Sequence, residues 1–256
     1  MSADLEGRVA LVTGGGRGIG RAAAIALADA GARVMAVSRT REQLETLESH
    51  PRIATHAASL DTPEGCQTAV QATVERFGPV DVLISNAGMG SSRERPIFDQ
   101  DPSVWTASFA INLHASFELM RLVSPGMVDR RWGRIVVVSS TAGLVGGPSQ
   151  TAYCASKHAV IGLARAAAVD LAPYGVTCNA VCPGWVRTEM ADTSAGVHAE
   201  RQGISVDQVW EERARSYPAG RVIEPGEVAD TIRFLAGAAA SGISGETITV
   251  ALGSAW

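Results

Sequence analysis

A serine, a tyrosine and a lysine lie within one short segment of the chain, and their side chains together suit proton transfer. Tyr153 and Lys157 are four residues apart, so on a helix both side chains lie on one face, one turn apart. The pKa of a free phenol is about 10, and a neighbouring ammonium lowers that pKa by favouring the phenolate. Ser140 follows an apolar run and adds a hydroxyl. The segment predicts a general acid or base that acts near neutral pH.

This tyrosine–lysine pair also has a structural interpretation. Taken alone, the spacing is more often that of a helical tyrosine beside a solvated lysine. Cys154, next to Tyr153, resembles a nucleophile, but no histidine lies beside it in the sequence, and packing explains a small thiol better. The interpretation as a reactive site therefore depends on the elements that position these residues.

Metal and disulfide chemistry find little support in the sequence. The five histidines are scattered, and the four cysteines lack the Cys-x-x-Cys spacing of a zinc site. We predict neither a metal site nor a disulfide. The cysteines are Cys66, Cys154, Cys178 and Cys182.

Short apolar runs alternate with helix-forming segments along the whole chain. This alternation predicts an α/β fold: one Rossmann-like domain over residues 1–256, with a doubly wound parallel sheet and helices on both faces. The predicted strands are 8–13, 32–38, 53–58, 80–85, 135–138, 176–182 and 247–251. The predicted helices are 21–28, 41–49, 63–77, 102–131, one that follows Gln150 and continues to Leu171, and 225–240.

Three predicted elements have special features. Pro125 is expected to kink or divide the helix 102–131. Residues 185–218 predict a long irregular segment that resembles a lid with short helices, and residues 89–101 predict a polar loop. The helix that carries Tyr153 is apolar nearly all round, which predicts burial on more than one side and hence a homo-oligomer, either a dimer or a tetramer.

A glycine-rich turn separates the first predicted strand from the first helix. Gly14, Gly18 and Gly20 would let the backbone approach a pyrophosphate, which the free N–H groups and the dipole of the next helix then bind. The spacing is Gly-x-x-x-Gly-x-Gly, so a merely flexible loop is the alternative. The sequence of strand, turn and helix favours a dinucleotide site.

The second predicted strand ends in Ser38 and Arg39, where an acidic residue would select NAD by bonding the ribose 2′-hydroxyl. An arginine suits a 2′-phosphate, because its planar donors match phosphate oxygens. Arg17 lies at the start of a helix, where the dipole disfavours a cation unless a phosphate is bound. Either arginine could simply be solvated. We expect NADP(H) to be preferred, with NAD(H) as the alternative.

Two further polar positions lie where a ligand could meet the sheet. Asn86, Ala87 and Gly88 follow the fourth predicted strand and would lie at its carboxyl edge. Asn112 lies among apolar neighbours in a helix, so it is either a structural hydrogen-bonding residue or part of a polar site.

Composition and charge exclude several classes of function. The net charge is −4 and no basic stripe stands out, so the sequence does not predict a nucleic-acid binder; Arg130, Arg131 and Arg134 cluster, but are interpreted as a solvated helix end. Neither a signal-peptide pattern nor a long apolar run is present, so we expect no membrane association and a cytoplasmic location.

These motifs resemble those of the short-chain dehydrogenase/reductase family, in the family's order and approximate spacing over essentially the whole chain. The matching residues are Thr13 to Gly20, Asn86-Ala87-Gly88, Asn112, Ser140, Tyr153-x-x-x-Lys157 and Asn179 to Gly184.

The resemblance implies hydride transfer between the nicotinamide of NAD(P) and a carbonyl or alcohol carbon. Tyr153 would donate or accept the proton, Ser140 would orient the carbonyl, and Lys157 would bind the nicotinamide ribose and lower the pKa of the phenol. Asn112 would hold a water that links Lys157 to solvent, and Thr188 would contact the nicotinamide carboxamide. The implied cofactor contacts are Gly14, Arg17, Gly18, Ile19, Gly20, Ser38, Arg39, Ser59, Leu60, Asn86, Ala87, Gly88, Tyr153, Lys157, Pro183, Gly184, Val186 and Thr188.

Three positions depart from the commonest family pattern. Ser59 stands where many members have an aspartate near the adenine, and Ser85 stands where a second asparagine is frequent. Residues 251–253 replace the usual Asp-Gly-Gly, which leaves the packing of the C-terminus at a subunit interface open.

The sequence favours an NADP(H)-dependent carbonyl reductase or alcohol dehydrogenase acting on a small-molecule ketone or alcohol. A partly apolar substrate, with or without an aromatic ring, is expected from loop residues that could equally pack the lid. Two alternatives remain, a 3-oxoacyl-thioester reductase and a dinucleotide-sensing protein without catalysis; a dehalogenase-like relative is disfavoured by the glycine turn and Lys157. The candidate substrate contacts are Ser140, Tyr153, Met89, Val145, Trp185, Met190 and Trp210.

Overall fold

A parallel sheet of seven strands forms the centre of the protein in a computed structural model that describes residues 4–91 and 95–254. The strands are β1 (Val9–Thr13), β2 (Arg33–Ser38), β3 (Ile53–Ala57), β4 (Val82–Ser85), β5 (Gly133–Val138), β6 (Val176–Pro183) and β7 (Thr247–Val250). Their order across the sheet is β3-β2-β1-β4-β5-β6-β7, and every neighbouring pair is parallel. The strand order reverses between β1 and β4, the point at which open α/β sheets bind ligands.

Helices cover both faces of this sheet. They are α1 (Gly18–Asp29), α2 (Pro63–Phe77), α3 (Pro102–Phe109), α4 (Ala115–Arg130), α5 (Thr151–Leu171), α6 (Glu189–Gln202), α7 (Val206–Arg215) and α8 (Pro225–Ala236). Helices α1 and α8 pack on one face through residues such as Leu27 and Ile232, whereas α2, α4 and α5 pack on the other through Leu119 and Val160. Strands buried on both sides explain the continuous apolar runs of β1 and β5. The predicted doubly wound α/β fold is confirmed.

Local sequence signals set several boundaries where they were predicted. Helix α2 begins after Thr62, whose side chain accepts a hydrogen bond from the Gly65 N–H, and Pro63 occupies its first turn. It ends at Gly78, whose φ of 98° is accessible to glycine at little cost. The observed range 63–77 equals the predicted one.

The helix predicted over 102–131 is interrupted at a different place from the one expected. Helix α4 runs through Pro125 without a break. The interruption is a π-helical turn, Ala110–His114, which contains Asn112. Such turns are rare and occur often at functional sites.

Three other segments differ from their predictions. Residues 41–49 form two short 3-10 turns, Arg41–Gln43 and Glu45–Leu47, in place of a single helix. Segment 185–218 is more regular than predicted, because in place of short helices in an irregular segment it contains α6, with 14 residues, and α7, with 10 residues. Of the predicted polar loop 89–101, residues 92–94 lie outside the described part of the chain, and Ile97–Asp99 form a 3-10 turn.

The prediction that Arg134 belongs to a solvated helix end is wrong, because only 4% of this residue is exposed. Its guanidinium lies over the Trp132 ring and donates hydrogen bonds to the carbonyls of Gly133, Gly175 and Gly237. Burial lowers the pKa of Arg134. The residue therefore joins the start of β5 to two distant segments.

Candidate active site

Lys157 is buried beneath the carboxyl end of the sheet, with only 5% of the residue exposed. Its Nζ donates a 2.9 Å hydrogen bond to the Val138 carbonyl, at the end of β5, and lies 5.9 Å from the ring centroid of Tyr153. Burial lowers the pKa of Lys157 from 10.5 to about 8, and the nearby Cys182 thiol opposes this effect slightly. The ammonium is thus held one helical turn from the phenol, as the spacing predicts.

Ser140 lies two residues after the end of β5 and is half-buried. Its Oγ accepts a 3.1 Å hydrogen bond from the Ala142 N–H and caps the short turn Thr141–Gly143. A hydroxyl that accepts through one lone pair can still donate its own proton, so Ser140 can bond a substrate oxygen.

Ser139 and Gly143 bring this turn against α5, and sequence reasoning missed both roles. The Ser139 Oγ donates a 2.9 Å hydrogen bond to the carbonyl of Lys157. A Cβ at Gly143 would lie 2.6 Å from the Ser139 Oγ and 2.7 Å from the Lys157 carbonyl oxygen, so only glycine allows this approach. The serine before Ser140 and the glycine three residues after it are the sequence signals that could have indicated the contact.

The residue type of Lys157 is itself a signal in the sequence. It is the only lysine among the 22 basic residues of the chain, and the other 21 are arginines. Arginine keeps its charge under nearly all conditions, whereas lysine changes its pKa readily when buried. The single lysine occupies a position where a buried, adjustable amine is useful.

Asn112 uses its side chain to hold the loop after β4, and only 2% of the residue is exposed. Its Oδ1 accepts from the Met89 N–H at 2.8 Å, and its Nδ2 donates to the Met89 carbonyl at 3.1 Å and to the Ser156 Oγ at 3.0 Å. A Cβ at Gly88 would lie 2.9 Å from the Asn112 Oδ1 and 3.5 Å from the Lys157 Nζ. The structure therefore brings Asn112 and Lys157 to the same small residue, while the role of Asn112 in holding water stays a prediction.

The glycine turn has the shape that a phosphate cradle requires. Gly14 and Gly18 adopt left-handed backbone conformations with φ of 62° and 51°. A Cβ at Gly20 would clash with the Gly14 carbonyl and lie 2.5 Å from the Asn86 Nδ2. Within α1, which the structure describes completely, the first turn has no acidic residue, and the Arg17 side chain makes no capping hydrogen bond. The N–H groups at this end, Ile19 included, fit an anion.

Hydrogen bonds between Thr13 and Asn86 join the start of the glycine turn to the loop after β4. The Thr13 Oγ1 accepts hydrogen bonds from the N–H groups of Asn86 and Ala87 at 2.9 and 3.0 Å. The Asn86 Nδ2 donates to the Thr13 carbonyl at 2.9 Å. Sequence reasoning assigned no role to Thr13, although it ends β1 directly before the glycines. Asn86 and Ala87 thus lie against the turn as expected, and their contacts with a cofactor stay predictions.

The far end of the predicted cofactor site lies at the ends of β2 and β3. Ser38 is buried and its Oγ donates to the Gln43 Oε1 at 3.1 Å, whereas Arg39 is exposed. The Ser59 Oγ donates a 2.7 Å hydrogen bond to the Asp61 Oδ1. A carboxylate is therefore present two residues after the position at which many family members have an aspartate. Leu60, which lies between them, is buried.

The segment after β6 joins the glycine turn to α6. Val186 pairs with Ile223, and Thr188 caps α6 by accepting a hydrogen bond from the Ala191 N–H. A Cβ at Gly18 would lie 3.1 Å from the Thr188 Cγ2, which shows that the start of α6 lies on the turn. Arg17 forms a 2.9 Å ion pair with Glu189, with both side chains largely exposed. Arg17 is thus already paired, although such exposed pairs contribute only about 0–1 kcal/mol.

Pro183 ends β6, and Gly184 allows a close contact that holds Trp185 in place. A Cβ at Gly184 would clash with the Tyr217 hydroxyl, and that hydroxyl accepts a 2.5 Å hydrogen bond from the Trp185 N–H. Burial raises the pKa of Tyr217, so the phenol stays protonated.

The predicted substrate contacts are only partly brought together. Met190 lies against the loop after β4, because a Cβ at Gly90 would be 3.4 Å from its side chain, and Met89 is held in the same loop by Asn112. Trp185 lines a cavity of about 360 Å³ between the segment before Tyr153 and helices α6 and α7. Trp210 is buried in the core of α6 and α7 and does not line that cavity, and Val145 lies after the turn that Ser140 caps. Their contacts with a substrate stay predictions.

Two further properties concern metals and membranes. Within residues 4–91 and 95–254, no three His, Cys, Asp or Glu side chains are grouped so that they could hold a metal ion. All four cysteines are buried and none of them is in a disulfide, and burial raises the pKa of Cys66 to about 11 and that of Cys178 to about 12. None of the described helices has the length and apolar character that a membrane span requires.

Comparison with known proteins identifies relatives that match this chain over most of its length. The family model described as short chain dehydrogenase matches residues 8–196. A D-beta-hydroxybutyrate dehydrogenase of Cupriavidus necator is 34% identical over 94% of this chain and 95% of its own length. A 3-oxoacyl-acyl-carrier-protein reductase of Vibrio cholerae is 34% identical over 96% of this chain and 97% of its own. The crystal structure of an actinorhodin polyketide ketoreductase variant with NADPH has a TM-score of 0.92 and 33% identity, and covers 98% of both chains.

Proposed function

Because this chain belongs to the short-chain dehydrogenase/reductase family, an oxidoreductase family, we propose that it interconverts a ketone and a secondary alcohol with a nicotinamide dinucleotide. One observation carries the proposal: the buried Lys157 ammonium is fixed to the end of β5 within 5.9 Å of the Tyr153 ring, and Ser140 follows the same strand. A tyrosine beside a solvated lysine would have no such arrangement. This arrangement suits a reacting oxygen that gains or loses a proton.

The three side chains have separate roles in reduction. The Ser140 hydroxyl donates a hydrogen bond to the substrate carbonyl oxygen and orients it, and Tyr153 gives that oxygen a proton. The Lys157 ammonium stabilises the phenolate that is left, because a nearby cation favours the charged form of a phenol. When bound, the nicotinamide supplies the hydride in reduction or takes it up in oxidation. In oxidation the phenolate of Tyr153 removes the hydroxyl proton.

The residues of the glycine turn would hold the dinucleotide. The uncapped N–H groups at the start of α1 and the left-handed Gly14 and Gly18 form a cradle that fits a pyrophosphate. Arg39 is exposed beside the end of β2 and would read a ribose 2′-phosphate, so we propose a preference for NADP(H) over NAD(H). That a related ketoreductase binds NADPH supports this preference.

We propose a partly apolar substrate. The Met190 side chain lies beside the loop after β4, and Trp185 lines the cavity next to the segment before Tyr153.

A homo-oligomer is also proposed, because Phe117 on α4 and Val169 on α5 are more than half exposed. The cytoplasmic location stays a prediction. Sedimentation of the wild type and of Val169→Glu tests the oligomer, and an unchanged mass would contradict this interface.

The experiment that tests the proposed function is cofactor turnover with a panel of ketones, with wild type and Tyr153→Phe side by side. The variant is expected to lose about 100-fold or more in rate, as loss of a general acid does. Tyr174→Phe is the matched control, because Tyr174 lies in the turn after α5, away from Lys157, and should keep the full rate. Equal rates for wild type and Tyr153→Phe would refute the mechanism.

A second candidate function is reduction of a 3-oxoacyl thioester, which the name of the Vibrio cholerae relative suggests. The same panel separates the candidates when it includes a simple aryl ketone and an acetoacetyl thioester. Turnover of the thioester alone would favour the second candidate. Cofactor binding without any turnover would instead favour a dinucleotide-sensing protein.

A further inference from the structure

The cavity of about 360 Å³ next to the catalytic segment is lined by an excess of positive charge. Its wall includes Gln150, which directly precedes α5 and lies three residues before Tyr153. From the opposite side, α6 and α7 contribute His198, Arg201 and Arg213, and Glu212 is the single acidic residue of the wall. The cavity therefore has a net positive lining, and its wall reaches the segment that leads into the helix of Tyr153.

Arg213 is the buried cation of this wall, with 7% of the residue exposed. Its guanidinium lies over two indoles, 3.7 Å from the ring centroid of Trp185 and 4.7 Å from that of Trp210. It donates to the Ala191 carbonyl at 3.0 Å and to the Ser194 Oγ at 3.3 Å. Burial lowers the pKa of Arg213 to about 10, which leaves the group charged at neutral pH.

No carboxylate in the described part of the chain forms an ion pair with Arg213. Asp192 lies near enough to raise the pKa of Arg213, but its Oδ1 accepts a hydrogen bond from the Trp210 Nε1. The two hydrogen bonds of Arg213 use two of the five N–H donors that a guanidinium carries. Because a buried charge is normally paired or fully hydrogen-bonded, the remaining donors fit an anion that enters the cavity.

We propose that this cavity binds the carboxylate of an oxo acid, with Arg213 as the residue that recognises it. The inference rests on the proposed function, since the carbonyl of the same molecule would lie at Ser140 and Tyr153. A planar guanidinium held against two indole rings suits a carboxylate, because its geometry is fixed before the ligand arrives. The substrate class is thus a small oxo or hydroxy acid, and the apolar side chains contact the carbon chain between its two polar ends.

The test compares oxo acids of increasing length with their methyl esters: acetoacetate, 4-oxopentanoate and 5-oxohexanoate. Wild type should reduce the best acid with kcat/KM on the order of 10- to 100-fold above its ester, as a charge-assisted hydrogen bond predicts. Arg213→Gln should remove this preference, mainly by raising KM for the acid. Arg215→Gln is the matched control, because Arg215 is exposed on the same helix and does not line the cavity.

Ester and acid reduced equally by wild type, or a preference that survives in Arg213→Gln, would overturn the inference. If Arg213→Gln does not fold, the comparison is made with Arg201→Gln, which should reduce the preference, and with competition by glutarate against neutral glutaramide in the wild type. Inhibition by both compounds alike would overturn the inference.

A binding measurement separates failure of this inference from failure of the proposed function. Glutarate should quench part of the tryptophan fluorescence, because Trp185 and Trp210 lie at Arg213, whereas glutaramide should not, and Arg213→Gln should abolish the effect. Quenching without reduction of any carbonyl would refute the proposed function and support the anion site. Reduction of neutral ketones without glutarate binding would refute the anion site alone.

Discussion

The ammonium of Lys157 donates a 2.9 Å hydrogen bond to the carbonyl of Val138, two residues before Ser140. The cation in α5 and the hydroxyl after β5 are therefore positioned by the same strand end. The Ser139 Oγ adds a second contact between strand and helix through the Lys157 carbonyl. A shift of one element against the other would break these contacts, so they fix the position of the cation relative to the hydroxyl.

The lowered pKa of Lys157 predicts a pH-dependent stability. The folded chain holds this proton with a pKa of about 8 and the unfolded chain with one near 10.5. Between these values the unfolded state binds more protons, so the free energy of unfolding rises with pH. Relative to Lys157→Met, the wild type should gain roughly 2 kcal/mol between about pH 7 and about pH 9.5.

Urea unfolding of both proteins at the two pH values measures this gain, and the comparison cancels other titrating groups. A direct measurement is available because Lys157 is the only lysine. Lysine labelled at Cε gives one side-chain NMR signal, whose midpoint should be about 8 in the folded protein and near 10.5 in urea. Identical midpoints would show that burial does not perturb this amine.

The same titration predicts opposite pH profiles for the two reaction directions. Reduction needs a protonated Tyr153 and a charged Lys157, so its kcat/KM should fall as pH rises through about 8. Oxidation needs the phenolate and should accelerate with rising pH until the amine loses its charge. Initial rates in both directions over this range provide the measurement. A reduction rate that keeps rising above pH 8 would contradict the assigned roles.

Gly20→Ala should disrupt the phosphate cradle. The added Cβ would clash with the Gly14 carbonyl and lie 2.5 Å from the Asn86 Nδ2, neither of which can move freely. We expect cofactor affinity to fall at least 10-fold and the protein to lose about 1–3 kcal/mol, as overpacking does. Dinucleotide titration and urea unfolding measure the two effects.

Gly196→Ala is the control for this substitution. Gly196 lies inside α6 with no atom within 4 Å of an added Cβ, so alanine should stabilise the helix by up to about 1 kcal/mol. A Gly20→Ala protein as stable as wild type and with unchanged affinity would show that the turn is not a tight cradle.

Local patterns were sufficient to predict the parts of the site that depend on local geometry. The four-residue spacing of Tyr153 and Lys157 fixes one helix face, and the turn from Gly14 to Gly20 follows directly from a strand. The fold could be predicted for a similar reason, because buried parallel strands require continuous apolar runs.

Contacts between distant segments could not be read from such patterns. The sequence predicts a solvated Arg134 because charges at helix ends are usually solvated, yet its acceptors include the carbonyls of Gly175 and Gly237. The lid helices are longer and more regular than the sequence predicts, because they bury small residues such as Ala195 and Ala199, which give a weak apolar period. Pro125 is accommodated in α4, whereas the π-helical turn at Asn112 has no Pro or Gly to mark it.

Arg39→Asp should reverse the cofactor preference. Loss of a charge-assisted bond to a 2′-phosphate costs about 1.5–3 kcal/mol, so affinity for NADPH should fall on the order of 10- to 100-fold. Affinity for NADH should rise, because an aspartate can accept a hydrogen bond from the ribose hydroxyl. Arg33→Asp, at the other end of β2, makes the same charge change and should leave the ratio unaltered. An unchanged preference in Arg39→Asp would refute the assignment.

Asn112→Ala should destabilise the protein more than removal of an exposed amide. The substitution leaves the half-buried N–H and carbonyl of Met89 without their side-chain partner, and it removes one donor from the buried Ser156 hydroxyl, which keeps its own bond to the Tyr153 carbonyl. Each unsatisfied buried group costs about 1–3 kcal/mol, and solvent reaching the loop recovers part of that, so a loss of roughly 2–4 kcal/mol is expected. Gln71→Ala, which removes an exposed amide on α2, should change stability by less than about 0.5 kcal/mol. Urea unfolding measures both, and equal small losses would mean that Asn112 does not hold the loop that carries Met89.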